Sequence, residues 1–178
     1  MKTLLFGIVL GIGAVFVGAY LYFSLGYAPV ATSAPPMPFE EKMAKKALHA
    51  RIAKEAPSNV PLPPDEAILN AGALLYREDC AVCHGLKGQA ETAIAKGMFP
   101  KPPQFFEGHG VIDDPVGETY WKAKNGIRLT GMPAYGSSLS EQQLWQVSLL
   151  LAHAGKLPPG AEKELSGSPA IGQSVSQN

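Results

Sequence analysis

The sequence predicts an all-α protein in which one apolar helix precedes a small helical domain. No segment alternates apolar and polar residues as a half-buried strand does, and several segments repeat apolar residues with helical spacing. The 178 residues carry 15 basic and 15 acidic side chains, so no nucleic-acid partner is expected. Only 17% of residues are charged, and there are 19 glycines and 16 prolines. This composition indicates an apolar segment and long loops.

The first element is a predicted transmembrane helix that would hold the chain in a lipid bilayer. No charged residue lies between Thr3 and Phe39, and Leu4–Leu25 would be about 33 Å long as a helix, enough for a bilayer core of roughly 30 Å. A cleaved signal peptide is the alternative, but its apolar region is typically about 7–15 residues long. We therefore expect residues 1–26 to be a single-pass anchor in a bacterial inner membrane, with the rest of the chain in the periplasm.

Residues 27–64 are expected to form a periplasmic spacer. Within it, Glu40–Ala56 is rich in helix-forming residues and has a narrow apolar stripe on an otherwise charged helix. A solvated spacer helix is the simpler interpretation, and contact with lipid headgroups or a partner subunit is the alternative. The proline-rich stretch Pro57–Pro64 should be an extended linker on which the following domain can swing.

Residues 65–156 are predicted to form the functional domain, and residues 157–178 a flexible tail. Asp65 is a suitable cap for a helix that runs to about Asp79. The tail is rich in Ser, Gly and Gln and has almost no apolar periodicity, which is typical of disordered segments.

Two further helices are predicted inside this domain. An Asp-Pro pair places a helix N-cap at Asp114, and Gly126 is expected to end that helix. Ser140 is expected to cap the last helix, which Gly155 would end.

The two cysteines of the chain lie in the motif Cys80-Ala-Val-Cys83-His84. A C-x-x-C-H sequence is typical of c-type haem attachment. Because residues three and four apart share one face of a helix, each thiol can form a thioether with a haem vinyl group while His84 faces the iron. A thioredoxin-like pair would need a βαβ context, a zinc site would need further ligands, and a disulfide across two residues would stabilise little. We therefore predict one covalently bound haem c.

The second axial ligand of the iron has four candidates outside the motif. Met132 is favoured because Gly131 lets the backbone approach the ring, Pro133 stiffens the loop, and a thioether is a suitable soft ligand. Each of the other candidates has a simpler interpretation. Met98 would pack on the haem edge, His109 would lie in a surface turn, and His153 would lie at a helix end.

Together these motifs resemble those of class I cytochromes c over roughly residues 65–156. The resemblance rests on Gly72 and Tyr76 before the CAVCH motif, on the GMPAYG loop, and on a last helix that contains Leu144-Trp145. It implies a fold of three to five helices with long loops around one haem. It also implies that the first and last helices cross where Gly72 meets the region of Trp145.

The resemblance implies roles for individual residues. The expected thioether residues and iron ligands are Cys80, Cys83, His84 and Met132. A proline carbonyl, from Pro102 or Pro103, is expected to accept a hydrogen bond from the axial histidine. Tyr120, Trp121 and Arg128 are candidate donors to the haem carboxylates, with helix packing and a solvated arginine as the alternative.

With both axial positions filled, the expected function is electron transfer without a catalytic residue or a small-molecule substrate. We predict a tethered electron carrier that shuttles single electrons between membrane redox complexes of a respiratory or photosynthetic chain. One alternative is a fixed cytochrome c subunit of a multi-subunit membrane oxidoreductase. Another is a gas-binding or catalytic haem protein, should Met132 not bind the iron.

Overall fold

The computed structural model describes residues 1–107 and 114–167, and every regular element within these ranges is helical. This confirms the all-α prediction. The elements are α1 Lys2–Ser24, α2 Glu40–Glu55, α3 Glu66–Leu75, a π-helical turn Tyr76–Cys80, α4 Ala81–His84, α5 Ala93–Gly97, α6 Val116–Asn125, α7 Glu141–Ala152 and α8 Pro159–Leu165.

The chain forms two compact units, Met1–Ala44 and Lys45–Asn178. In the first unit, α1 is exposed along its whole length and has a mean hydropathy of 2.4. Within the described residues it is the one helix long and apolar enough to cross a membrane, as the sequence predicted. Its length and composition fit an anchor and a signal sequence alike.

The core of the second unit forms where α3 and α7 cross. A Cβ atom on Gly72 would lie 2.3 Å from the backbone oxygen of Gln146 and 3.1 Å from Cβ of Leu150. Only glycine allows two helix backbones to approach so closely. The crossing predicted near Trp145 therefore lies one residue further along α7. On both sides of it, α7 is buried from Leu144 to Leu151.

The prediction of a flexible tail is wrong for Pro159–Leu165, which form α8 and pack on α3. Ala161 and Leu165 have no exposed surface, and their burial fixes the short helix on the domain. Ion pairs add to this contact, Arg77 with Glu164 and Lys87 with Glu162, the latter at 2.8 Å. Two buried residues are too few to give a visible helical period in the sequence. Residues 168–178 lie outside the described ranges.

The proline-rich stretch Pro57–Pro64 does not act as a free linker, which corrects the predicted swinging domain. Val60 and Leu62 pack against a cluster that includes Tyr120 and Trp145. The carbonyl oxygen of Pro57 approaches Gly117 so closely that a Cβ there would lie 1.8 Å from it. Because this stretch packs on residues of α6 and α7, and Glu55 at the end of α2 accepts a hydrogen bond from Trp121, the compact unit begins before residue 65.

Most helix ends follow the local sequence. The side chain of Asp65 accepts the N–H of Ile68 at 2.9 Å, Ser140 forms a capping box, and Gly126 ends α6 with φ of +65°. Two ends differ from the prediction. The N-cap of α6 is Pro115, and the predicted cap Asp114 accepts a hydrogen bond from Lys122. The last helix, α7, ends at Ala152, before Gly155.

We expect the substitution Gly72→Ala to lower the free energy of unfolding by roughly 1–3 kcal/mol, because the added methyl group forces α3 and α7 apart. Chemical denaturation of the detergent-solubilised chain measures this loss. Gly97→Ala in α5 is the matched control, since a Cβ atom at Gly97 meets nothing within 4 Å. An equal effect of the two substitutions would show that the helix crossing does not require glycine.

Candidate functional site

The CAVCH motif lies on a change of helix type. The π-helical turn Tyr76–Cys80 joins α3 to α4, and α4 carries Cys83 and His84. Such single π turns inside helices are frequent at functional sites because they displace one side chain from the regular spacing. The helix predicted to run to about Asp79 therefore continues, but with a wider final turn. Gly85, with φ of +74°, ends it.

Both cysteines are free thiols with little thiolate character. Burial, then the charges of Asp79 and Cys83, raises the pKa of Cys80 to about 12, and burial also raises the pKa of Cys83. Thiols with raised pKa values are poor nucleophiles and poor metal ligands. The described residues also contain no cluster of three His, Cys, Asp or Glu side chains that would hold a metal ion. Within the described residues, the pair therefore has neither the low pKa values of a redox-active thiol pair nor the additional ligands of a zinc site.

The imidazole of His84 is held on two sides. Its Nδ1 lies 2.9 Å from the carbonyl oxygen of Pro103, and its ring stacks on Phe105 with 4.4 Å between centroids. Of the two prolines predicted for this role, Pro103 therefore has the hydrogen bond. Burial lowers the pKa of His84, although the Pro103 hydrogen bond acts in the opposite direction. A neutral imidazole that donates through Nδ1 leaves Nε2 available as a ligand.

Gln104 connects the loop that contains Pro103 to the motif. Its Nε2 donates to the carbonyl of Cys83 at 2.9 Å and to that of Pro102 at 3.2 Å. A Cβ atom on Gly85 would lie 2.4 Å from Oε1 of Gln104, so the glycine leaves room for this side chain. Sequence analysis missed this residue, because nothing distinguishes a glutamine after two prolines until the loop is placed.

Met132 lies on a loop fixed by hydrogen bonds at both ends. The Met132 N–H donates to Oγ1 of Thr130 at 3.1 Å, and its carbonyl accepts from Ile127 at 3.3 Å. Further along, the backbone N–H of Tyr135 donates to Ala123 in α6 at 3.0 Å. These bonds set the position of the methionine without any regular secondary structure.

Tyr135 also connects the methionine loop with the motif. Its hydroxyl donates to the carbonyl of Asp79, next to Cys80, at 2.7 Å. Burial raises the pKa of Tyr135 to about 12, so the hydroxyl keeps its proton and remains a donor. This bond therefore limits how far the two sides of the site can separate.

A cavity of about 630 Å³ lies between these elements, and its walls are mostly apolar. The volume is within the roughly 300–1,000 Å³ usual for ligand-binding cavities. All four residues of the predicted thioether and axial set line it, namely Cys80, Cys83, His84 and Met132. An apolar cavity with a soft sulfur ligand and an imidazole in its walls suits a porphyrin that carries iron.

One of the predicted carboxylate donors, Trp121, lies away from this cavity. Trp121 donates to Glu55 at 3.1 Å and does not line the cavity. The cavity-facing residues of α6 are Thr119, Lys122 and Ala123, which share one face by their spacing of three and four. Trp121 falls on another face of the same helix.

Tyr120 and Arg128 are also absent from the cavity wall. The hydroxyl of Tyr120 donates to Glu141, and its ring stacks on Trp145 with 4.1 Å between centroids. Arg128 is exposed on the loop that follows α6. Their alternative interpretation, helix packing and a solvated arginine, describes their placement.

The other candidate axial ligands differ in position. Met98 lines the cavity, and a Cβ atom on Gly131 would lie 2.0 Å from the methyl carbon of Met98. His153 does not line the cavity, and its Nδ1 lies 2.8 Å from the carbonyl of Leu149 at the end of α7. His109 lies outside the described residues.

Three residues of α2 line the cavity although sequence analysis assigned that helix to a spacer. They are Lys45, Leu48 and His49. Leu48 and the buried Ile52 belong to the narrow apolar stripe of α2, which was the signal available in the sequence.

Comparison with known proteins agrees with this geometry. Residues 67–149 match the family model described as cytochrome c oxidase, cbb3-type, subunit III, which covers a little under half of the chain. Together with the CAVCH geometry, this match defines residues 67–149 as a class I c-type cytochrome domain, and such a domain implies haem c as its cofactor.

Among solved structures, a chain of the Kuenenia stuttgartiensis reducing HAO-like protein complex Kustc0457/Kustc0458 is similar. The two chains are 22% identical and align with a TM-score of 0.48. The alignment covers 68% of this chain and 52% of the other, so the chain spans about half the length of that relative. No curated protein matches the sequence.

We expect Tyr135→Phe to loosen the methionine loop, because the part-buried hydrogen bond to the Asp79 carbonyl is lost, at a cost of roughly 0.5–1.5 kcal/mol. In the haem-loaded ferric protein, the absorption band of methionine-ligated iron should then disappear at a lower denaturant concentration than in the unmodified chain. Ser137→Ala, an exposed position on the same loop, is the control. Identical transitions in all three proteins would contradict a role of Tyr135 in holding the loop.

Proposed function

We propose that the chain is a membrane-tethered electron carrier that binds one haem c and transfers single electrons on the periplasmic side of a bacterial inner membrane. One observation carries the proposal. A single apolar cavity is lined by the CAVCH motif and, from a separate loop, by Met132. Outside such a cavity, these four side chains would have no common task.

The residues of the site have distinct tasks in this proposal. Cys80 and Cys83 would hold the haem by thioether bonds, and His84 and Met132 would bind its iron. The carbonyl of Pro103 orients the imidazole through its Nδ1 proton. Bound in this way, the haem supplies reversible one-electron chemistry, and the methionine ligand raises its potential. The apolar walls limit the access of water.

Several features favour a carrier over an enzyme. With both axial positions filled, no open position on the metal remains for a substrate or a gas. The apolar helix α1 would tether the domain at the membrane, which raises its effective concentration near membrane redox complexes. These complexes, one as donor and one as acceptor, are the proposed partners.

A second candidate function is a fixed subunit of a multi-subunit membrane oxidoreductase. The matched family model describes a subunit of a cytochrome c oxidase. In α1, Gly7 and Gly11 have the spacing of a GxxxG helix contact, and a Cβ at either position meets nothing within 4 Å. This glycine surface would suit a neighbouring transmembrane helix.

We expect Met132→Ala to abolish the absorption band of methionine-ligated ferric haem and to lower the reduction potential, because the soft thioether ligand is lost. Visible spectroscopy and a redox titration of the purified protein measure both effects. Met98→Ala is the matched control, since Met98 lines the same cavity. A band that survives Met132→Ala, or one that is lost in Met98→Ala, would assign the ligand elsewhere.

We expect the chain to leave the membrane in mild detergent as a single haem-containing species, and Gly7→Leu to leave this behaviour unchanged. Gel filtration with haem detection is the measurement, and Gly13→Leu, outside the GxxxG pair, is the control. Stable co-elution with other membrane subunits that only Gly7→Leu disrupts would overturn the free carrier and support the fixed subunit.

A further inference from the structure

Three consecutive residues, Pro103–Phe105, close around the imidazole of His84 and form a histidine clamp. The carbonyl oxygen of Pro103 lies 2.9 Å from Nδ1 of His84. The ring of Phe105 lies parallel to the imidazole, with an angle of 9° between the two planes. Between them, the side chain of Gln104 donates to the carbonyl of Cys83, the residue directly before His84, at 2.9 Å. The first and third residues of the clamp thus contact the imidazole, and the second fixes the clamp to the motif backbone.

The clamp has few backbone groups of its own with which to hold its shape. Pro102 and Pro103 have no N–H, so neither can donate a backbone hydrogen bond. The amide group of Gln104 replaces these donors, since it also donates to the carbonyl of Pro102 at 3.2 Å. One side-chain amide therefore joins the backbone on the near side of Pro103 to the backbone of the motif.

The surface that receives Gln104 is itself fixed in the core. Gly85 makes room for the side chain, because a Cβ atom there would lie 2.4 Å from Oε1 of Gln104. The carbonyl of Gly85 accepts the hydroxyl of Tyr76 at 2.8 Å, and Tyr76 has no exposed surface. The ring of Tyr76 also contacts Phe106, directly after the clamp, edge to face at 5.3 Å. Gln104 therefore packs on a rigid part of the domain.

The two contacts of the clamp with His84 act on different properties of the ring. The hydrogen bond at Nδ1 makes Nε2 a stronger electron donor to a metal, and the parallel Phe105 ring limits rotation of the imidazole. A stronger donor stabilises oxidised iron, which has the higher charge. Gln104 touches neither the imidazole nor the cavity, so any effect it has on the iron must act through its neighbours.

We propose that Gln104 is a positioning residue of the haem site, whose amide holds the Pro103 carbonyl and the Phe105 ring on His84 and so sets how strongly the imidazole donates to the iron. The inference rests on the proposed function in one respect, which is that His84 binds the iron of haem c. It assigns control of the reduction potential to a side chain outside the cavity wall. Loss of the Gln104 amide should weaken the Nδ1 hydrogen bond and favour the reduced haem.

The test compares Gln104→Met with Gln89→Met in the full-length, detergent-solubilised protein. Gln89 is a matched control, because its Nε2 also donates a part-buried hydrogen bond of 2.9 Å to a backbone carbonyl, that of Gly167, and it does not line the cavity. We expect the one-electron equilibrium with a redox mediator to shift about threefold to tenfold toward the reduced haem in Gln104→Met. Gln89→Met should leave the equilibrium unchanged.

Exchange of the Nδ1 proton of His84 with water provides a second readout, which a general loss of packing elsewhere would not move. Nuclear magnetic resonance of the reduced protein with isotope-labelled histidine measures it. The proton should exchange faster in Gln104→Met than in Gln89→Met. Equal equilibria and equal exchange rates in the two variants would overturn the inference. A shifted equilibrium with unchanged exchange would also overturn it, because the effect would not pass through the hydrogen bond of His84.

A second substitution keeps the inference testable should Gln104→Met lose its haem. Gln104→Glu has the size of the original side chain, but its carboxylate cannot donate to the Cys83 carbonyl. The Nδ1 proton should then exchange faster in Gln104→Glu than in Gln89→Glu, and equal rates would refute the positioning role.

Failure of the proposed function would look different. An unmodified chain without covalently bound haem in the pyridine haemochromogen spectrum would refute haem binding itself. A haem-loaded chain in which the haem does not shift the ring resonances of His84 would refute its role as an iron ligand.

Discussion

The close crossing of α3 and α7 at Gly72 is the contact on which the rest of the domain depends. Because the two backbones nearly touch there, the π turn and the CAVCH motif that follow α3 begin at a fixed distance from α7. The same helix α7 supplies Leu144, Val147 and Leu151 to the cavity wall. The absence of a side chain at Gly72 thus determines both where the CAVCH motif lies and which residues of α7 face it.

The site also depends on side chains of two loops that donate hydrogen bonds to backbone carbonyl groups of the motif region. Gln104 connects the Pro103 loop to Cys83, and Tyr135 connects the methionine loop to Asp79. His84 and Met132 therefore occupy defined positions although neither loop has regular structure.

The sequence predicted the features that depend on local chemistry, and it failed where distant packing decides. The helix caps at Asp65 and Ser140 were predictable, as was a helix that leads into the CAVCH motif. The choice between Pro102 and Pro103 was not, because it depends on an interatomic distance across 19 residues. The face of α6 that meets the cavity was not predictable either, because helical spacing locates a helix more reliably than it identifies which face meets a cavity. Short elements such as α8 bury too few residues to produce a helical pattern in the sequence.

The docking of α2 has a practical consequence for how the soluble domain should be isolated. A fragment cut at the sequence-based boundary of residue 65 would retain every residue of the CAVCH motif and of the methionine loop. It would nevertheless lack the α2 residues that line one side of the cavity, and it would expose part of the cluster of Tyr120, Leu144 and Trp145 on which Val60 and Leu62 now pack. The smallest fragment with an intact cavity wall therefore starts ahead of Lys45, between the apolar helix and the charged one.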